Sequence, residues 1–246
     1  MMRFKSSLLA PAAVVLMLVG GLAAFADGED DQPKPTRQSW SFSGVFGTFD
    51  RAQLQRGFQV YKEVCSNCHK LSIPFRMLED PTGPGYSDDQ VKTLAASYQI
   101  VNDEPNDKGE IFKRPGTPAD DFPPPDAFPN DQAAAASFGK APPDMWLLAK
   151  SIKYERGFPN FVFDMFDAYQ EVGADMIYAI LHGYTKPDDP QWNLYYPGHK
   201  IAMPQPITDG AVQYSDGTPG TLDNYSKDVA SFLMYFTKKR VWADAH

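Results

Sequence analysis

The chain of 246 residues has only two cysteines and four histidines, and it is short of basic side chains: 23 Lys and Arg stand against 31 Asp and Glu, a formal charge of -8. Each shortage excludes something. Nucleic acid selects basic surfaces, because neutralising the phosphate backbone supplies much of the affinity. A structural zinc site takes four ligands, usually with a second Cys or His pair, and no second cysteine pair exists here. Past residue 26 no uncharged run approaches the roughly twenty residues that a spanning helix requires. There is no internal repeat, and no convincing apolar–polar alternation marks a strand. What the chain has in quantity is proline, 22 residues of it, so a real core wrapped by much irregular structure is expected. The acidic balance suits a basic protein partner through salt-sensitive steering, although solubility alone would also use it.

Both cysteines fall in one stretch, Cys65-Ser66-Asn67-Cys68-His69. Two thiols three apart, with a histidine directly after the second, have the spacing of c-type haem attachment. Each thiol can form a thioether to one haem vinyl group, and the adjacent imidazole can bind the iron. A redox Cys-x-x-Cys pair would have no need of His69, and zinc would need further ligands. With both thiols used, no disulfide remains, so compartment is argued from the N-terminus. Arg3 and Lys5 precede an almost wholly apolar run over residues 8–22, and Ala24-Phe25-Ala26 is a small-x-small site. Residues 1–26 therefore read as a secretory signal cleaved before Asp27, with an uncleaved anchor as the alternative.

Residues 27–39 are acidic, polar and proline-containing, a flexible lead-in, and residues 40–49 form an aromatic strap with glycine joints. Asp50 is placed to cap a helix whose stripe, Leu54, Phe58, Tyr61 and Cys65, ends at the cysteine motif. Ser87 and Gln90 have capping-box spacing ahead of Val91, Leu94, Ala95 and Tyr98. Residues 102–131 are a long proline-rich loop whose Phe112, Phe122 and Phe128 argue that it packs. Asp144 caps a third helix with Met145, Leu148, Ala149 and Ile152 inward. The aromatic residues 158–166 read as core. Residues 173–181 make a fourth helix stopped by Gly183. A proline-broken loop at 195–204 precedes a last helix from Thr221, with Tyr225, Val229, Phe232 and Phe236 on one face.

A low-spin electron-transfer haem needs a second ligand opposite His69, and a thioether there raises the potential relative to imidazole. The candidates are Met77, Met145, Met165, Met176, Met203 and Met234, with His182, His199 and His246. Met145, Met165, Met176 and Met234 sit in helical apolar patterns and read as core fillers. Met203 stands apart in a proline-bracketed loop that can hold a thioether rigidly. Spacing alone leaves the choice open.

The run from Phe49 to Cys65 and the motif after it resemble the cytochrome c1 family. So do Phe112-Lys113-Arg114-Pro115-Gly116, Ala141-Pro142-Pro143-Asp144, Tyr196-Pro197-Gly198, Ile201-Ala202-Met203-Pro204 and Asp216-Gly217-Thr218-Pro219, in family order across nearly the whole mature chain. The resemblance implies a mostly α, cytochrome c-type haem domain with long irregular insertions, over residues 40–234, followed by a basic tail remnant at 235–246. It implies one covalent haem c on Cys65 and Cys68, with His69 and Met203 as axial iron ligands. The implied role is that of the haem subunit of the ubiquinol–cytochrome c reductase, a redox carrier and not a stand-alone enzyme. It would take electrons from the Rieske iron–sulfur protein and pass them to a soluble cytochrome c, beside cytochrome b, on the periplasmic side of the bacterial inner membrane. Four departures stand out. Ile152 occupies the place of a family arginine near a haem propionate, Met176 that of a tyrosine, and Ser137-Phe138-Gly139 that of Asn-Asn-Gly. The family's C-terminal transmembrane helix is the largest: Ala230 to Phe236 is far too short for one, and the segment expected after Met234 is missing.

Two other functions compete. A free periplasmic shuttle would need no anchor. A catalytic or gas-binding haem would keep an open distal site, with His182 or His199 as general acid.

Overall fold

Asp50 opens the first helix by accepting from the Gln53 amide at 2.7 Å, which removes one of the amides that a helix start leaves unpaired. The helix is α1, Arg51–Glu63, in a computed structural model that describes residues 32–243 except 103, 127, 129, 153 and 155. The expected signal at residues 1–26 lies outside the described residues. Leu54, Phe58 and Tyr61 are buried along one side of α1, as their spacing requires. Ser87 and Gln90 form a reciprocal capping box for α2, Asp88–Ala96, which buries Val91 and Ala95.

Strands β1, Gln99–Val101, and β2, Lys113–Pro115, pair antiparallel with Ile100 opposite Arg114. Each is only three residues long with a half-buried centre, too short for alternation to reveal. The loop around β2 packs only in part: Phe122 is buried, its ring 4.1 Å from that of Phe75, and Phe128 is half-buried, whereas Phe112 is exposed. Helix α3, Asp131–Phe138, is capped by Asn130. Asp144 caps a short turn at Met145–Leu147 that leads into α4, Leu148–Ser151. Helices α5, Asn160–Phe166, α6, Val172–His182, and α7, Leu222–Ala243, complete the set. The protein is mostly helical.

The core forms where α1 crosses α7. Phe58 and Tyr61 of α1 meet Phe232 of α7 at ring distances of 5.8 and 6.1 Å. Arg56 is clasped by the buried Asp228 (Nε to Oδ2, 2.9 Å) and reaches Asp216 at 2.9 Å. Helix α6 packs on α7, and α4 packs on both. Gly173 allows the close approach of α6, since a Cβ there would overlap the Ala149 carbonyl. The aromatic strap is anchored by Trp40 and Phe42, both buried.

Several expectations are corrected. Residues 158–166 are not core: Phe158, Phe161, Phe163 and Phe166 are exposed, and so is Met165, which is no core filler. Apolar composition had implied burial, but α5 turns Asp164 toward the domain and its phenylalanines away. Gly183 ends α6 without a left-handed residue (φ -78°). It is glycine because a Cβ would strike the Asn193 side chain. The boundary expected at residue 234 falls inside α7, where Tyr235 and Phe236 are buried. No helix among the described residues is long and apolar enough to cross a membrane.

Candidate functional site

The cysteine motif is a single turn at the end of α1, Cys65–Asn67, closed by Cys68 N–H to Cys65 O (3.1 Å) and His69 N–H to the same oxygen (2.9 Å). The two intervening residues have a job. Ser66 Oγ donates to Lys62 O (2.7 Å), and Asn67 Nδ2 to Glu63 O and Val64 O (3.2 and 3.0 Å). Carbonyls that the helix end would leave unpaired are thus satisfied, which holds the turn that carries both thiols. Cys65 is half-buried, Cys68 is exposed, and both are free. Burial first, then the neighbouring Cys68 sulfur, pushes the Cys65 thiol up to about 12. A redox pair needs a thiolate near neutral pH, so this environment argues against that reading.

His69 Nδ1 lies 2.8 Å from the Pro143 carbonyl oxygen. A carbonyl can only accept, so Nδ1 carries the proton and Nε2 keeps its lone pair for a metal. Burial holds the imidazole below its ordinary pKa, while the Pro143 bond and Asp144 oppose this. The downward shift favours the neutral ring, the form a metal ligand needs. Pro143 is itself held. The Asp144 carboxylate accepts from Ser72 N–H and Trp146 N–H at 3.2 Å each and from Ser72 Oγ, and Met145 N–H donates to Lys70 O (3.0 Å). The Pro142-Pro143-Asp144 segment therefore acts as a strut beneath the motif.

Met203 lies elsewhere, half-buried against a second apolar cluster of Met176, Ile180 and Ile201. Its carbonyl accepts from Tyr184 OH at 2.8 Å. The loop that carries it is pinned to the end of α6. Asn193, fully buried, donates from Nδ2 to Ile180 O (2.7 Å) and accepts from Tyr195 N–H (3.1 Å), and Leu194 N–H donates to Gly183 O (2.8 Å). Ile152 packs against both this cluster and the main core. It thus joins α4, which follows the Pro143 strut, to the Met203 loop. The structure brings Cys65, Cys68 and His69 onto one turn and sets Met203 on a separate braced loop.

The other candidates are engaged differently. Met145, Met176 and Met234 are buried in core positions. His182 bonds the Tyr178 carbonyl (2.9 Å) and stacks on that ring at 4.1 Å. His199 bonds the Asn193 carbonyl (3.2 Å) and stacks on Trp192 at 4.4 Å. His246 lies outside the described residues. Among the described residues no three His, Cys, Asp or Glu side chains are grouped to hold a free metal ion. Two free thiols three apart and an imidazole with Nε2 available fit covalent attachment of a haem.

Sequence reasoning missed Asp175. Fully buried on α6, it accepts from Gln38 N–H and Trp40 Nε1 (2.9 Å each), Tyr154 OH (3.4 Å) and Tyr169 OH. It clasps the N-terminal strap to the helix that supports the Met203 loop. A lone acid in the first turn of an apolar helix was the available signal.

Fold and donor set together define the class, a helical domain of the c-cytochrome type. The model of the Cytochrome C1 family matches residues 40–242, and the chain belongs to that family. It is 46% identical to a "Cytochrome b/c1" of Bradyrhizobium diazoefficiens, over 96% of this chain but 40% of that protein. It is 43% identical to a cytochrome c1 of Blastochloris viridis, over 95% of this chain and 83% of that one. A potato protein named as a mitochondrial cytochrome c1 haem protein is 40% identical over 80% of this chain and 70% of its own length.

Proposed function

We propose that the chain is the electron-transfer haem subunit of a ubiquinol–cytochrome c reductase, in which Cys65 and Cys68 would hold one haem c and His69 and Met203 would bind its iron. The observation that carries this is the His69–Pro143 bond, which leaves Nε2 as the free ligand atom directly after two free thiols. The haem, when bound, supplies a one-electron ferric–ferrous couple. The residues do the rest. The strut under His69 fixes the ring plane, burial favours the neutral imidazole, and a Met203 thioether on the iron would favour the reduced state and so a higher potential. Tyr184 and Asn193 hold that thioether's loop in place.

Electrons enter from the Rieske iron–sulfur protein and leave to a soluble cytochrome c, in company with cytochrome b. A basic acceptor suits a chain of formal charge -8. Residues 1–26 direct export, which places the domain on the periplasmic side of the bacterial inner membrane, associated with it through the complex. The name of the Bradyrhizobium relative, cytochrome b/c1, supports the association with cytochrome b.

The test is direct. The chain is expressed with haem-attachment machinery, denatured and extracted with acid acetone, and its pyridine haemochrome spectrum is recorded. A coloured polypeptide is expected, and a colourless one overturns the assignment. Copurification of a cytochrome b and an iron–sulfur subunit from solubilised membranes tests the partners separately.

A further inference from the structure

His69 is held from two sides. Its backbone carbonyl accepts from the hydroxyl of Tyr61 (3.4 Å), a buried residue of α1. Its ring bonds the Pro143 carbonyl (2.8 Å), which arrives from 74 positions along the chain. Residues 141–144 belong to no helix or strand, so regular hydrogen bonding does not fix the direction of that carbonyl. The next side chain does. Asp144 Oδ1 accepts from Ser72 N–H and Trp146 N–H at 3.2 Å each, and Oδ2 accepts from Ser72 Oγ.

Ser72 follows His69 by three residues, so these bonds close a ring. It runs from the imidazole to the Pro143 carbonyl, through the Asp144 carboxylate to Ser72, and back along the chain to His69. The bond from Met145 N–H to Lys70 O (3.0 Å) lies beside it and uses main chain alone. We infer that Asp144 is the positioning residue of His69: its clasp on Ser72 aims the Pro143 carbonyl at Nδ1, and its negative charge lowers the potential of an iron bound at Nε2. Because the second effect is exercised on an iron ligand, it rests on the proposed haem function.

An acid is not needed for the clasp. An asparagine could accept both amides on its one oxygen and donate to the Ser72 hydroxyl. What only the acid brings is charge, and its three donors, two amides and a hydroxyl, are neutral and do not cancel it. The charge reaches the ring: Asp144 favours a positive imidazole, against the effect of burial. The same field, acting on the metal through its ligand, favours the more positive ferric state. Asp144 thus opposes the rise in potential that a thioether ligand gives. Position and charge are separable by substitution, which makes both parts testable.

The experiment uses the full chain produced with haem-attachment machinery, as native protein, Asp144→Asn and Ser72→Ala. Two quantities are measured: the midpoint potential, and the solvent exchange of the His69 Nδ1 proton in the ferrous protein by NMR. Asp144→Asn keeps the clasp and loses the charge. At a fixed potential its ferrous-to-ferric ratio should rise roughly threefold, with exchange close to native. Ser72→Ala keeps the charge and loosens the clasp, so exchange should accelerate several-fold while the potential moves far less. A native potential in Asp144→Asn, or native exchange in Ser72→Ala, overturns the proposal, since a merely structural aspartate would give the first. A colourless chain overturns the haem reading and this role together, whereas a coloured chain with both quantities unmoved overturns this role alone.

Discussion

Gly57 of α1 lies against the backbone carbonyl of Asp228 in α7, with no room for a methyl group between them. The contact sets the distance of the two longest helices in the core, and the Arg56–Asp228 pair beside it sets their register. Gly57→Ala should force the helices apart and cost about 1–3 kcal/mol, the usual penalty for overpacking. Urea unfolding followed by far-UV circular dichroism would read it. An unchanged midpoint would mean that the crossing is looser than described.

Asp175 should be among the most sensitive carboxylates of the domain. Four donors converge on it, and Asp175→Ala would leave them unpaired in a buried site, costing about 2–5 kcal/mol. Proteolysis should then cut the strap at residues 33–40 first. The pH dependence has a definite sign. Desolvation raises this carboxyl above its ordinary pKa, against the four hydrogen bonds. Its contribution is therefore most favourable below the unfolded value of about 3.9 and is lost as pH rises through the raised folded value. Relative to Asp175→Asn, the native protein should lose stability from acid toward neutral pH.

Asp120 should behave in the opposite way. The Arg114 guanidinium, bonded to both oxygens at 2.7 Å, together with Thr117, holds its carboxyl well below the usual range despite some desolvation. That stabilisation is present above about pH 3.9 and is lost as the pH falls through the depressed folded value. Amide exchange at residues 113–122, corrected for its intrinsic pH dependence, should accelerate below pH 3. In Asp120→Asn the extra acceleration should vanish.

Met203→Leu should lower the reduction potential and let carbon monoxide bind the ferrous protein rapidly, because leucine offers no donor. Tyr184→Phe removes the hydroxyl that holds the Met203 carbonyl and should shift the potential the same way by much less. Potentiometric titration of both variants tests the pair. An unchanged potential in Met203→Leu rules out ligation by that residue.

Local chemistry was legible in the sequence wherever neighbours in the chain are neighbours in space. The caps Asp50, Ser87 and Asp144 all work as their spacing implies, and so does the buried stripe of α1. That both thiols and His69 share one turn was legible for the same reason. What could not be read depends on contacts between distant residues. Asp175 finds donors more than 130 positions away, and the Pro143 carbonyl is 74 positions from His69. Residues 158–166 misled because apolar composition reports what a surface avoids, not what covers it. The end of α7 misled because the charges after Phe236 suggested solvent, whereas its first lysine turns back to the core.

That lysine gives a test of how far the folded domain extends. Lys238 Nζ is 3.1 Å from Glu171 Oε1, and the Glu171 side chain is 1% exposed while that of Lys238 is 33% exposed. The same ammonium lies 5.3 Å from the Phe42 ring and 5.8 Å from that of Phe49, so it joins α7, the strap and the residue before α6. Removing one partner of a buried pair costs about 3–5 kcal/mol because the other charge is left stranded, and partial exposure of the lysine places Lys238→Ala toward the lower end. Lys238→Met with Glu171→Gln should recover much of the loss, since no charge is then stranded. A free basic tail would behave otherwise: Lys238→Ala would be silent and Glu171→Gln no worse with Lys238 present than without it. Chemical unfolding of the two single variants and the double variant decides between these, and a coupling energy near zero would remove α7 beyond Met234 from the folded domain.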